Sequence, residues 1–242
     1  GRGRRHDWRR DAALLRRREV GLVFGSRLVS DLGTGIAPIA LAFGVLDLPG
    51  ADAGDLGLIL FAAAVPRVVF MLLGGVVADR VDRGRLMVLA EVLAGLAQLA
   101  AGALLLTGTA TVGLLCALAV VNGTAFSLFY PAYAGLVPSL VADPADLQSV
   151  NALLRLSTNI AGILGTALGG LLVATLGAGP ALVVDSLTFF LSAGLIWALG
   201  ERARGRGGAS GSAIADLRDG WREFTARRWV CWGRPARASP RF

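Results

Sequence analysis

Six stretches of this chain, at 21–46, 54–78, 86–106, 111–141, 150–177 and 180–199, are almost wholly apolar, and each is twenty residues long or longer. A helix needs about 20 apolar residues to cross the hydrocarbon core of a bilayer. Six such blocks in succession, with almost no polar face between them, leave little room for a soluble core. With 55% hydrophobic residues and a mean hydropathy of +0.63, the composition agrees. The expectation is an all-α, polytopic membrane protein with six transmembrane helices. The domain reading is a basic arm over 1–20, a six-helix bundle over 21–199, and a tail over 200–242. That tail comprises a Gly/Arg/Ser linker, an amphipathic helix at 214–230 and an aberrant C-terminal end.

Charge sets the expected orientation. All 24 basic residues are arginine. Eight lie within the first eighteen residues, three at 80–85 and ten from 202 onward, while the connections 47–53, 107–110, 142–149 and 177–179 carry none. Positive loops stay on the cytoplasmic side. Six spans with both termini inside place 80–85 inside as well; the connection 142–149 shares that side but is acidic and adds no support. The chain is therefore read as a multi-pass protein of the cell (inner) membrane. A net charge of +7 would otherwise suggest nucleic acid, but here it sits in flanks and loops, where topology and anionic lipid account for it. The lipid bilayer is thus the expected partner, and nucleic acid is not. His6 is the single histidine, and Cys116 and Cys231 lie far apart in sequence. No metal site and no enzyme constellation of nucleophile with base is expected.

The connection after the first span reads LDLPGADAGD and that after the fourth reads VADPADLQS. The shared order of Asp, Pro, Ala and Asp, on opposite sides of the membrane, suits a 3+3 inverted repeat. Loop composition alone could also produce it.

Between the second and third spans stands Gly74-Gly75-Val76-Val77-Ala78-Asp79-Arg80-Val81-Asp82-Arg83-Gly84-Arg85. Its glycines permit close helix approach, and its alternating acids and arginines can form a cytoplasmic latch of Gly75, Asp79, Arg80, Asp82, Arg83, Gly84 and Arg85. A plain positive-inside turn is the other reading. The stretch resembles the signature loop of the major facilitator superfamily, Gly-x-x-x-Asp-Arg-x-Gly-Arg-Arg, with Gly75, Asp79 and Arg80 in place and two extra residues before Gly84-Arg85. The Asp-Arg-x-Asp-Arg variant is similar to the branch of siderophore and macrolide exporters. In the fifth span, Ala161-Gly162-Ile163-Leu164-Gly165-Thr166-Ala167-Leu168-Gly169-Gly170 resembles that superfamily's antiporter motif, matching at Gly165, Gly169 and Gly170 but lacking its proline.

The resemblance covers about 20–230. It implies half of a twelve-helix facilitator fold, a small-molecule substrate, no cofactor beyond a proton gradient, and either a missing C-terminal six-helix half or a second copy as partner. A truncated chain is expected on that basis, and the last stretch, CWGRPARASPRF, which fits neither a span nor a good helix, points to an altered reading frame at that end.

Charges inside spans are costly and mark candidate sites. Arg27 and Asp31, four residues apart on one helix face, form either a satisfied pair or a site where Asp31 takes up a proton. Arg67 either faces a central cavity or pairs with Asp31. Glu91 is read as reaching the cytoplasmic interface, Asp185 as lying near the outer end of its span, and Arg155 as snorkelling. Asn122, Tyr130 and Tyr133 line an aromatic cavity or face lipid. The resulting expectation is proton-coupled export of small amphiphilic molecules of drug or siderophore type. Facilitated uptake and a non-transporting membrane fragment remain as alternatives.

Overall fold

The computed structural model describes residues 17–78, 82–141 and 144–200. The basic arm before residue 17, His6, Asp79, Arg80 and the tail from 201, including the expected helix at 214–230 and Cys231, lie outside the described residues. Six helices follow one another: α1 Arg18–Leu46, α2 Ala53–Ala78, α3 Arg83–Thr107, α4 Val112–Leu140, α5 Pro144–Leu176 and α6 Ala178–Trp197. Each is long and apolar enough to cross a membrane. In hydrocarbon every backbone polar group needs an internal partner, which a helix supplies along its whole length. That is why Pro38, Pro66, Pro131 and Pro138 are accommodated inside α1, α2 and α4 rather than ending them.

Short polar devices set the helix ends. At the start of α2, Asp52 Oδ1 accepts from the amides of Gly54 and Asp55, at 2.7 and 3.1 Å, while Asp55 Oδ2 accepts from the amide of Asp52 at 3.0 Å. This is a reciprocal capping box. Thr111 caps α4 through the amide of Leu114, and Asp82 caps α3 through the amide of Arg85. Gly108 at φ 68° and Gly177 at φ 92° turn the chain out of α3 and between α5 and α6, in the left-handed region that a side chain would resist.

Two ends differ from the sequence reading. Helix α5 begins at Pro144, so most of the expected connection 142–149 is its first turns. Proline at the first helical position and Asp146 in the first turn favour a start there, and hydropathy marks only the apolar part that follows. For the same reason Arg83 and Arg85 belong to the first turn of α3 rather than to a loop.

The packing repeats itself. Helix α1 packs on α5 and α6, α4 packs on α2 and α3, and α3 packs on α6. Exchanging 1 with 4, 2 with 5 and 3 with 6 maps this pattern onto itself. Consecutive helices joined by short turns run in opposite directions, so the two triplets are inverted, as expected from the Asp-rich connections that precede α2 and α5.

Small residues sit at the equivalent crossings. A Cβ on Gly35 of α1 would lie 2.9 Å from Gly165 Cα of α5, and one on Gly169 would lie 3.0 Å from Ile36 Cα. Gly123 of α4 lies against the Ala63 carbonyl of α2 in the same manner, and Gly102 of α3 would meet the Gly179 carbonyl of α6 at 2.9 Å. Absent glycine, these backbones could not approach so closely.

Two apolar clusters occupy the two ends of the bundle. One gathers Val20, Val23, Met87, Phe129, Leu136, Leu154 and Ile196. The other gathers Ile36, Ala40, Ile59, Ala101, Leu115 and Leu182. Between them, at mid-depth on every helix that contributes, lies a polar layer.

The glycine contacts give a sharp contrast within one motif. Gly170 has no atom within 4 Å of a built Cβ, whereas Gly165 faces the Leu32 carbonyl. Gly165→Leu is expected to cost at least about 1–3 kcal/mol through overpacking, while Gly170→Leu should stay within about 0.5 kcal/mol. Thermal unfolding of the purified variants in detergent checks this; equal losses at the two positions would contradict the packing described.

Candidate functional site

The polar layer is built around α1. Arg27 and Asp31 stand one turn apart, and the guanidinium donates to Asp31 Oδ1 at 2.7 Å. Both residues are buried, at 8% and 9% exposure. Helix α5 completes the carboxylate: Thr158 Oγ1 donates to Asp31 Oδ2 at 2.7 Å. Helix α4 completes the cation, since the Arg27 guanidinium lies 5.3 Å from the Phe129 ring centroid and 5.1 Å from that of Tyr133. These two rings stack on each other at 5.8 Å. A desolvated cation over an aromatic face gains about 2 kcal/mol. The pair is therefore the satisfied one of the two readings, held by three helices.

Glu91 stands one helix away on α3. It lies eight residues past Arg83, about 12 Å into the helix at 1.5 Å per residue, and is 3% exposed. The expected reach to the cytoplasmic interface does not occur, because α3 packs there against α6 and Glu91 meets Ser30 of α1. Instead Ser30 Oγ of α1 donates to Glu91 Oε2 at 3.3 Å, and Ser192 of α6 lies beside it. Asp185 of α6 is completely buried, so it does not reach toward an interface either. Gln98 Nε2 of α3 donates to Asp185 Oδ2 at 2.6 Å. Its other oxygen and the Thr188 hydroxyl lie against Gly33 of α1, where a Cβ would not fit.

A small cavity of about 60 Å³ opens on this layer, lined by Arg27, Asp31, Arg67, Glu91, Gln98 and Asn122 among others. Arg67 does not pair with Asp31. Its guanidinium stacks 4.0 Å over the Phe126 ring of α4, on the far wall of the same cavity. Asn122 lies one turn from Phe126 on that wall. Tyr133, with Tyr130 and Arg155, lines a separate cleft between α4 and α5 that reaches Thr158. Of the residues the sequence singled out, Arg27, Asp31, Arg67 and Asn122 line one cavity, whereas Tyr130 and Tyr133 line the neighbouring cleft.

Of the loop residues, Gly75 lies in the last turn of α2, while Asp79 and Arg80 lie outside the described residues. Arg83 Nη1 donates to the Gly135 carbonyl of α4 at 2.9 Å, and its guanidinium fills the space a Cβ on Gly135 would take. Arg85 Nε lies 3.8 Å from Asp82 Oδ2 at the surface. Arg83 thus fastens the start of α3 to α4 within this bundle, while Asp82 and Arg85 meet each other at the start of α3. Sequence reasoning missed Ser30, Gln98, Thr158 and Gly135. Hydroxyls and glycines are common in membrane helices, so only Gln98, seven residues from Glu91 and hence on its face, left a visible signal.

Comparison with known proteins agrees with this architecture. A family model described as transmembrane secretion effector matches residues 12–230. The chain belongs to the major facilitator superfamily. Among curated proteins it is similar to the uncharacterized MFS-type transporter YfiS of Bacillus subtilis (strain 168), at 28% identity over 187 residues. The match covers 76% of this chain and 43% of that relative, so this facilitator-type chain spans less than half of the relative's length.

Removing one partner of a buried ion pair leaves the other uncompensated, at about 3–5 kcal/mol. Arg27→Gln is expected to destabilise by that order, and Arg27→Gln with Asp31→Asn by clearly less than Arg27→Gln alone. A double-mutant cycle of unfolding in detergent measures it. Additive single effects would mean the two side chains do not depend on each other.

Proposed function

We propose that this chain is the amino-terminal half of a proton-coupled exporter of small amphiphilic molecules, of the drug, siderophore or macrolide kind. The transporter assignment follows from the family. The observation that carries the finer reading is the buried layer of acids and arginines opening on an aromatic-walled cavity at mid-depth. Intramembrane ionisable groups facing a cavity mark substrate and proton pathways. In this reading the acids near Arg27 take up and release the proton, and the guanidinium of Arg67, stacked on Phe126, meets the substrate with Asn122, Tyr130 and Tyr133.

The inverted triplets support alternating access, in which one helix bundle rocks against another about a midplane site. The second bundle is either a C-terminal six-helix half or a second copy of this one. Arginine clustering at 80–85 and in both flanks supports an inner-membrane protein with cytoplasmic termini. Three small-residue positions in α5, Gly165, Gly169 and Gly170, favour export through the antiporter motif they resemble. The loop from Gly75 to Arg85 acts as the cytoplasmic latch, with Arg83 on Gly135 as its fixed end.

The test uses everted membrane vesicles carrying this half with a second six-helix half. With an acidified interior they should accumulate a fluorescent amphiphile against its gradient, and a protonophore should abolish the accumulation. Uptake that ignores the protonophore would contradict proton coupling, and movement only down the substrate gradient would contradict active export.

A further inference from the structure

Three carboxylates occupy the polar layer, and their partners differ in kind. Asp31 is held by the Arg27 guanidinium and the Thr158 hydroxyl. Guanidinium can only donate, so a proton on the bonded oxygen of Asp31 would set donor against donor. Asp185 is completely buried, bonded to Gln98, and absent from the cavity wall. Glu91 differs from both. It makes no ion pair among the described residues, and it lines the cavity. Its hydrogen-bond partner is the hydroxyl of Ser30, with Ser192 beside it. A hydroxyl can donate to a carboxylate and, after rotating, accept from a carboxylic acid. Both protonation states of Glu91 are thereby satisfied without moving a helix.

We infer that Glu91 is the proton-binding group of this site, held by Ser30 and reached through the cavity. The inference rests on the proton-coupled reading above and names the residue that reading left open. The step is a simple one: a proton from cavity water adds to a carboxylate oxygen of Glu91, giving the acid, and returns to water when the site faces the other side.

The charged groups around Glu91 fit this role. From α1 it is faced by Arg27 and Asp31, which neutralise each other. Arg67 of α2 lines the same cavity. From α6 the nearest ionisable group is Asp185, engaged by Gln98. The α4 residues on this cavity wall, Asn122, Ala125, Phe126 and Phe129, carry no charge. Asp31, the acid that the sequence alone would favour, is then a fixed counter-charge that positions Arg27.

Infrared difference spectroscopy on the chain in lipid nanodiscs reads this directly. Between neutral and mildly acidic pH, where exposed carboxylates stay ionised, the wild type should gain a carboxylic-acid carbonyl band. Glu91→Gln should lose that band entirely, while Asp185→Asn, and Arg27→Gln combined with Asp31→Asn, which removes both charges of the pair, keep it. Two milder variants guard against misfolding: Glu91→Asp and Ser30→Ala should each retain the band at a shifted frequency. A band that survives in Glu91→Gln, disappears in Asp185→Asn or in the Arg27→Gln, Asp31→Asn double variant, is unmoved by both milder variants, or responds to sodium at fixed pH would overturn the assignment, as would its absence from the wild type. The vesicle experiment is separate. Proton-driven accumulation with a band indifferent to Glu91 would remove Glu91 alone. A Glu91 band without proton-driven accumulation would leave the proton site standing and remove the coupling.

Discussion

A charge in the middle of a bilayer has no water to solvate it, and insertion scales put that cost at about 2.5–3.5 kcal/mol per residue for Arg or Asp. Everything polar in this bundle is arranged around meeting that cost at Arg27 and Asp31. One turn of α1 brings them together. Thr158 comes from α5, and Phe129 and Tyr133 come from α4. The pair therefore joins helices that are far apart in sequence, and it does so only where their backbones can come close. Gly35, Gly165 and Gly169 provide the close approach of α1 to α5. Removing the pair would leave that crossing with packing alone, while removing the glycines would carry Thr158 away from Asp31.

The inverted symmetry explains why the polar layer lies at mid-depth. Exchanging the two triplets reverses the direction of each helix, so only a layer midway along the bundle maps onto itself. The apolar clusters lie on either side of that layer, toward the two ends of the bundle. Within it, α3 and α6 carry Glu91, Gln98, Asp185 and Ser192, and the contact of Gly102 with Gly179 brings these two helices together. These two helices thus supply acids to a site whose aromatic wall and only buried ion pair among the described residues come from α1, α4 and α5. Such a division lets one set of groups hold the fold while another remains free to change charge.

Much of this was legible in the sequence. Hydropathy found all six helices to within a few residues except at the start of α5, where a polar first turn of Pro144 and Asp146 carries no hydrophobic signal. Spacing alone put Arg27 over Asp31, since residues four apart share a helix face. What spacing cannot give is the neighbour on another helix. Glu91 was read as reaching the interface because its depth was counted from the first apolar residue rather than from Arg83, where the helix starts. Asp185 was read as near the surface because nothing local announces Gln98 as its partner. Arg67 was offered Asp31 as a counter-charge and found the Phe126 ring instead, a contact that only the packing of α2 on α4 creates. Thr158 is one hydroxyl among many, and its role emerges only once the α1–α5 crossing is known.

The account stands on the contact between one guanidinium and one carboxylate inside the bundle. Solid-state NMR on the chain in lipid, with nitrogen labels in arginine and carbon labels in aspartate, measures that contact through the dipolar coupling between the Arg27 and Asp31 side chains; the Asp31→Asn variant assigns the signal. The structure predicts a strong coupling, consistent with the 2.7 Å nitrogen–oxygen separation. A coupling too weak for direct contact would show that the two charges are met by water or lipid, and the site built around them would not exist as described.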